Sequence, residues 1–156
     1  MPIPVPAAHV SHDSQPWVLV VDPNETDGVF VSEALNNAGF LTEVVQSGEK
    51  ALERLPERTW HAMVVERHLP GMDGFATTLC ARASASALPV VMATRQASRL
   101  SHEQAHVLDG YLAKPFKEQA AVELAIHQAV VNRASKMARE ELQSALSRIS
   151  AGLHHW

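Results

Sequence analysis

The 156-residue sequence lacks several features that would place it in a specialised class of protein. It contains one cysteine, Cys80, which excludes an internal disulfide and is typical of a reducing compartment. No apolar run reaches the ~18 residues that a membrane-spanning helix needs. Residues 1–16 have neither the basic segment nor the continuous apolar stretch of a secretion signal. We therefore expect a cytoplasmic protein that makes no membrane contact.

The sequence also lacks clustered positive charge. Thirteen Lys and Arg residues against 17 Asp and Glu residues give a net charge of −4 with the nine histidines neutral, and the basic residues form no run. Proteins that bind nucleic acids usually carry Lys and Arg in patches. No Cys or His in the strand region has the spacing of zinc ligands. We therefore expect no nucleic-acid partner, no bound metal and no cofactor.

Short apolar segments alternate with segments of helical periodicity along most of the chain. Five of them are typical of buried strands: WVLVVD, LTEVVQ, HAMVVE, PVVMAT and YLA. The segments between them have the length and apolar spacing of helices. Strands that alternate with helices predict a parallel sheet covered by helices on both faces.

The two ends of the chain differ from this pattern. Residues 1–16 begin with three prolines in six positions, which indicates an extended, poorly ordered arm. From Phe116 to about Ala151 there is neither Pro nor Gly, so the sequence predicts one helix of about 35 residues, or ~50 Å. We divide the chain into this arm, a domain over residues 17–130 and a helical extension over residues 131–156.

The predicted helix is longer than a domain of this size needs, because about four turns would cover the sheet. Leu142, Leu146, Ile149 and Leu153 follow one another at intervals of 4, 3 and 4 residues. This spacing is that of a two-heptad coiled-coil seam, and it favours a homodimer.

Several motifs occur in a fixed order between Trp17 and about Val130: VLVVD, SGEKALERL, LPGMDGF, PVVMAT and YLAKPF. With these motifs the chain resembles the receiver domain of two-component response regulators. The resemblance implies an α/β fold in which a doubly wound, five-stranded parallel sheet has the strand order 2-1-3-4-5. It also implies a signalling module rather than an enzyme.

The resemblance assigns roles to particular residues. In that family, two neighbouring acids after the first strand help to bind Mg²⁺, and an Asp that ends the third strand accepts a phosphoryl group from a histidine kinase. Asp22 matches the first acid, and Thr94 matches the hydroxyl residue that ends the fourth strand. Lys114 and Pro115 match a Lys and cis-Pro pair, and Tyr111 matches the aromatic switch position.

Three departures from the family pattern fall within this site. Pro23 replaces the second acid and supplies no ligand, although Glu25 is a nearby substitute. Glu66 replaces the acceptor Asp and is longer by one methylene, or ~1.5 Å. A misplacement of ~1 Å can cost about 100-fold in a transfer reaction. Arg95 stands where the family has a small residue. We therefore predict a degenerate site that does not accept phosphoryl groups.

A partly buried Glu66 needs a cationic partner. We predict an ion-pair cluster of Glu66, Arg95 and Lys114, with Arg67 as a second candidate partner. If Glu66 imitated a phosphoryl group, Thr94 would turn toward it and Tyr111 would pack inward. The alternative is a locked geometry that matches neither signalling state.

These observations favour a pseudo-receiver that works by contact with protein partners, such as a histidine kinase or another signalling protein, and dimerises through its long helix. Two alternatives remain open. The chain is a working phosphoacceptor with a non-standard acidic site, or it is a truncated relative of receiver-containing antitermination proteins. The segment AIHQAVVNR resembles the linker of the latter, whose C-terminal helical domain binds RNA.

Overall fold

A computed structural model of the protein describes residues 15–96 and 100–153, so that nearly all of the predicted arm over residues 1–16 lies outside the described residues. Its five strands are β1 (Trp17–Val21), β2 (Leu41–Val45), β3 (Ala62–Glu66), β4 (Val90–Thr94) and β5 (Gly110–Ala113). All neighbouring strands are parallel, in the order β2-β1-β3-β4-β5. The predicted sheet is confirmed.

The helices are α1 (Glu25–Asn37), α2 (Gly48–Arg54), α3 (Gly74–Ser84), α4 (His102–Val107) and α5 (Gln119–Leu153), and a 3₁₀ turn over Leu55–Glu57 follows α2. Polar side chains begin the first four helices by accepting a backbone N–H: Asn24, Ser47, Asp73 and Ser101. Such caps satisfy donors that have no partner within the helix. They fix the point at which each helix leaves the loop that follows a strand.

The central strands β1, β3 and β4 are buried along nearly their whole length. Alternate side chains belong to two separate apolar clusters, one on each face of the sheet. Helices α1 and α5 cover one face, and α2 and α3 cover the other. This arrangement explains the continuous apolar runs in the sequence, since a parallel strand in such a sheet has no solvated face. It also gathers the carboxyl ends of the strands along one edge.

The last helix, α5, is a single helix of 35 residues, about 52 Å long. It begins three residues after the predicted Phe116 and ends two residues after the predicted Ala151. No chain break separates residues 17–130 from the extension, so this division of the chain stays a prediction. Within the described residues, no helix is both long and apolar enough to cross a membrane.

Candidate functional site

Polar side chains gather at the edge of the sheet where the strands end. Asp22 follows β1, Glu66 ends β3, Thr94 ends β4 and Lys114 follows β5. All four residues are buried. In a doubly wound sheet this edge is where ligands bind, because the carboxyl ends of parallel strands lie together there.

The ammonium group of Lys114 lies at the centre of this site. Its Nζ is 2.7 Å from Asp22 Oδ2, 2.7 Å from Glu66 Oε2 and 2.9 Å from Asp27 Oδ2. The contact with Asp22 has hydrogen-bond geometry, and the other two are ion pairs. The Lys114 side chain is 4% exposed. Among the described residues, one cation therefore serves three carboxylates, which leaves these groups with an excess of negative charge.

Asp27 is the member of this cluster that the sequence analysis missed. It is the third residue of α1, and its backbone N–H donates to the side chain of the capping Asn24 at 3.0 Å. Its carboxylate reaches Lys114 from the first turn of the helix, whereas Glu25, the substitute considered from sequence, is exposed. The available signal was the Asn24 cap, which fixes where α1 begins. The direction in which α1 crosses the sheet edge is not visible in the sequence.

The site as folded does not fit Mg²⁺. This ion demands near-octahedral oxygen ligands at about 2.0–2.1 Å. Asp22 uses Oδ1 to accept the Asn24 N–H at 2.9 Å and Oδ2 to bind Lys114, and the exposed Pro23 offers no side-chain ligand. In residues 15–96 and 100–153 no group of three or more Asp, Glu, His or Cys side chains is placed to hold a metal ion. The Lys114 ammonium occupies the space between the carboxylates instead.

Burial and the shared ammonium shift the pKa of both main partners. Burial raises the pKa of Asp22, and the charge of Glu66 raises it further, by more than the hydrogen bonds from Lys114 and Asn24 lower it. Burial alone would lower the pKa of Lys114, but its bonds to Asp22, Glu66 and Asp27 outweigh this effect and raise it. The lysine therefore stays charged at neutral pH.

Arg95 is not part of the cluster, and the predicted ion pair between Arg95 and Glu66 is wrong. Arg95 is exposed, and Lys114 supplies the cation that Glu66 needs. The reason is its place in the chain: Arg95 lies in a bend just after β4 ends at Thr94, so the strand no longer holds its side chain at the site. Arg67 does not pair with Glu66 either, because its guanidinium group lies over the ring of Phe75, 5.6 Å from the centroid.

The Tyr111 switch position does not have the arrangement expected if Glu66 imitated a phosphoryl group. Thr94 is buried, and its hydroxyl accepts the backbone N–H of Gln96 at 3.1 Å. Tyr111 is 39% exposed, and its hydroxyl donates to the carbonyl of Ala105 in α4 at 3.1 Å. Tyr111 is therefore not packed inward. The peptide bond between Lys114 and Pro115 is cis, as the resemblance implied.

A second buried charge cluster, which the sequence analysis did not identify, joins α5 to the rest of the fold. Asp109 has a fully buried side chain that forms an ion pair with Arg82 of α3 and accepts the backbone N–H of Val90 at 2.9 Å. Arg133 and Lys136 of α5 lie 3.8 and 3.5 Å from the same carboxylate. The contacts of α5 with the domain therefore extend beyond residue 130.

The four predicted seam residues lie in the part of α5 that follows this cluster. Leu142, Leu146, Ile149 and Leu153 are 60%, 56%, 61% and 69% exposed. Exposed apolar side chains in such a row are typical of an interface. The homodimer stays a prediction.

Comparison with known proteins agrees with this fold. The family model described as "Response regulator receiver domain" matches residues 18–126. The DNA-binding transcriptional regulator NtrC of Escherichia coli (strain K12) is 30% identical over 129 residues, which are 81% of this chain and 26% of that protein. The sensor protein GacS of Pseudomonas syringae pv. syringae is 28% identical over 120 residues, 71% of this chain and 13% of that protein. The first curated relatives are all longer, and the chain spans 11 to 44% of their length.

Solved structures of receiver domains have the same fold. A response regulator receiver domain (CheY-like) from Methylobacillus flagellatus is 26% identical with a TM-score of 0.65, over 74% of this chain and 99% of that one. The chemotaxis response regulator CheY4 of Vibrio cholerae has a TM-score of 0.67 at 24% identity, over 74% and 98% of the two chains. At that identity the second match supports the fold alone.

Proposed function

The chain belongs to the response regulator receiver domain family, whose members act in two-component signalling, and from that premise we propose that it is a pseudo-receiver. In this proposal it signals through protein contacts without accepting a phosphoryl group. The observation that carries the proposal is the position of the Lys114 ammonium, within 2.9 Å of three carboxylates at the strand ends.

Charge argues against a phosphoryl group in this pocket. A phosphoryl group brings about −1.5 to −2 charges at neutral pH. Asp22, Asp27 and Glu66 already exceed the single positive charge of Lys114, and no metal fits to balance them. A phosphoryl group would therefore enter a buried pocket that is negative before it arrives.

The acceptor oxygens are also engaged. Glu66 Oε2 pairs with Lys114, and Glu66 Oε1 accepts the backbone N–H of His68 at 3.4 Å. Transfer depends on the position of the attacking oxygen, so a carboxylate held by contacts on both oxygens is a poor acceptor. In this proposal the ion-pair cluster holds the Glu66 carboxylate in one position.

In this account the domain works as a fixed binding surface. Receivers contact histidine kinases and other signalling proteins, and we propose that this chain retains a partner of that class. We further propose that residues 131–156 form an extension of the 17–130 domain and that α5 dimerises the protein. Support comes from the exposed apolar row on α5, which lies beyond the family match that ends at residue 126.

A mass measurement tests phosphoryl acceptance. After incubation with Mg²⁺ and acetyl phosphate, we expect the intact mass of the wild-type chain to be unchanged. A variant with Pro23→Asp and Glu66→Asp restores the family's acids and serves as the matched control, because it should gain the mass of one phosphoryl group.

The opposite result would support the alternative function. If the wild-type chain gained one phosphoryl mass and Glu66→Gln did not, the protein would be a phosphoacceptor with a non-standard acid. One observation favours that alternative: Asp27 brings back a second acidic side chain at the site, in place of the one that Pro23 lacks.

A further inference from the structure

The face of α5 that points away from the domain carries a row of residues at heptad spacing, which are apolar except for Gln128, Ser135 and Gly152. Its residues follow one another at spacings that alternate between 4 and 3: Leu124, Gln128, Val131, Ser135, Ala138, Leu142, Ala145, Ile149 and Gly152. We call this set the outer row. The residues of α5 that pack on the domain, such as Ile126, Ala129 and Arg133, lie on the opposite side of a helix with 3.6 residues per turn. The outer row is exposed throughout except for Ala145, which is partly buried.

We propose that the outer row between Ser135 and Gly152 binds the same row of a second copy of this chain in the antiparallel direction. Leu142 then lies opposite Ala145 of the second copy, and Ile149 lies opposite Ala138. This inference rests on the dimerisation proposed above and specifies its orientation and register.

Side-chain volume favours this orientation. The antiparallel register opposes one large and one small residue in every apolar layer, which keeps the two helices at an even separation. A parallel pairing of the outer row would stack Leu142 on Leu142 and Ile149 on Ile149, with an Ala145 layer between them and an Ala138 layer before Leu142. Wide and narrow layers would then alternate, and the alanine layers would leave voids that cost stability.

Charge complementarity favours the same orientation. Glu141 and Arg148 are seven residues apart and flank the outer row on one side, where they line a common shallow cleft with Ala145. In the antiparallel register Glu141 lies opposite Arg148 of the second copy, and the pair occurs twice by symmetry. A parallel register would place Glu141 beside Leu146 of the second copy and leave both charges unpaired.

The antiparallel register also covers the two remaining seam residues. Leu146 lies beside Arg139 of the second copy, whose aliphatic stem can pack on it. Leu153 lies beside Asn132 of the second copy. The overlap covers about 20 residues, or ~30 Å, and the two receiver domains lie at its opposite ends. They do not obstruct one another, because each domain packs on the far side of its own helix.

Disulfide crosslinking tests the register in the full-length chain, with the exposed Cys80 replaced by Ser. Ala138→Cys chains mixed with Ile149→Cys chains should form a disulfide-linked dimer under mild oxidation. Ala138→Cys alone should link at least about tenfold less. Its two cysteines would lie ~16 Å apart along the helix axis, and a disulfide needs Cα atoms within about 7 Å.

A charge exchange gives a second measurement that adds no cysteine. Glu141→Arg should weaken the dimer about tenfold, because it places two arginines opposite each other in both symmetric pairs. Adding Arg148→Glu should restore the dimer, because each pair then again joins one acid and one base. Glu140→Arg is the matched control, because Glu140 lies off the outer row and should leave the dissociation constant unchanged.

The outcomes separate this inference from the proposed dimerisation. Efficient self-linking of Ala138→Cys would mean a parallel pair, and it would overturn the register while leaving the dimer intact. A dimer in light scattering that gives neither crosslink would place the interface elsewhere and also overturn it. A monomer in light scattering would refute dimerisation itself.

Discussion

Lys114→Met should destabilise the domain by about 3–5 kcal/mol, because it removes the cation that three buried or half-buried carboxylates share. Methionine keeps the length of the lysine stem and removes the charge. The cost is therefore electrostatic rather than a loss of packing. It is measured as the change in the free energy of unfolding in urea at neutral pH.

Arg95→Met is the control for this change. It removes a positive charge from the same edge of the sheet, but Arg95 is exposed and forms no pair with Glu66, so we expect a change within about 0.5 kcal/mol. Equal unfolding midpoints for Lys114→Met and the wild-type chain would show that the carboxylates do not depend on the ammonium group.

The effect of Lys114→Met should also depend on pH. Burial already raises the pKa of Asp22 above its ordinary 3.8, and the variant loses the Lys114 bond that lowers it. A carboxyl group whose folded pKa is raised gains stability as pH falls through that pKa toward the unfolded value. The variant should therefore recover part of its lost stability in mild acid. If the difference in the free energy of unfolding between the variant and the wild type stayed constant or grew in mild acid, this result would argue against a cluster of buried carboxylates.

Asp109→Ala should have an effect of similar size, about 3–5 kcal/mol, since it removes the buried anion that pairs with Arg82, Arg133 and Lys136. It also leaves the Val90 N–H without its side-chain acceptor. Beyond the loss in the free energy of unfolding, we expect faster hydrogen exchange of backbone amides near residue 136. Lys136 also donates to the carbonyls of His106 and Leu108, so this part of α5 depends on the same cluster.

Glu123→Ala provides the comparison for Asp109→Ala. It removes an acid from α5 whose contact with His127, at 3.5 Å, lies at the surface. Such pairs contribute little, so the unfolding midpoint and the exchange near residue 136 should both stay close to the wild type. Unchanged exchange in Asp109→Ala would show that the cluster does not anchor α5.

Much of the fold follows from local patterns in the sequence. The apolar runs define the strands, and capping residues such as Asn24, Ser47 and Ser101 mark where the helices begin. The site is partly predictable for a similar reason: Asp22, Glu66 and Lys114 each follow or end a strand, and the carboxyl ends of parallel strands meet.

The other contacts of the site depend on where helices and strands end and on the directions in which they cross one another, which no short stretch of sequence determines. Asp27 reaches the site because of the angle at which α1 crosses the sheet edge, and Arg95 misses it because β4 ends one residue earlier, at Thr94. The partners of Asp109 were missed because they lie far from it in the chain. Arg82 and Lys136 are each 27 residues away and converge only in the folded state.

The central claim is that the Lys114 ammonium, rather than a metal and a phosphoryl group, fills the space between Asp22, Asp27 and Glu66. A crystal structure of the protein grown with Mg²⁺ and beryllofluoride tests it most directly. We expect Lys114 Nζ to remain within hydrogen-bond distance of the three carboxylates, with no magnesium ion between them. An octahedral Mg²⁺ bound by Asp22 and Asp27, with beryllofluoride on Glu66, would contradict the account.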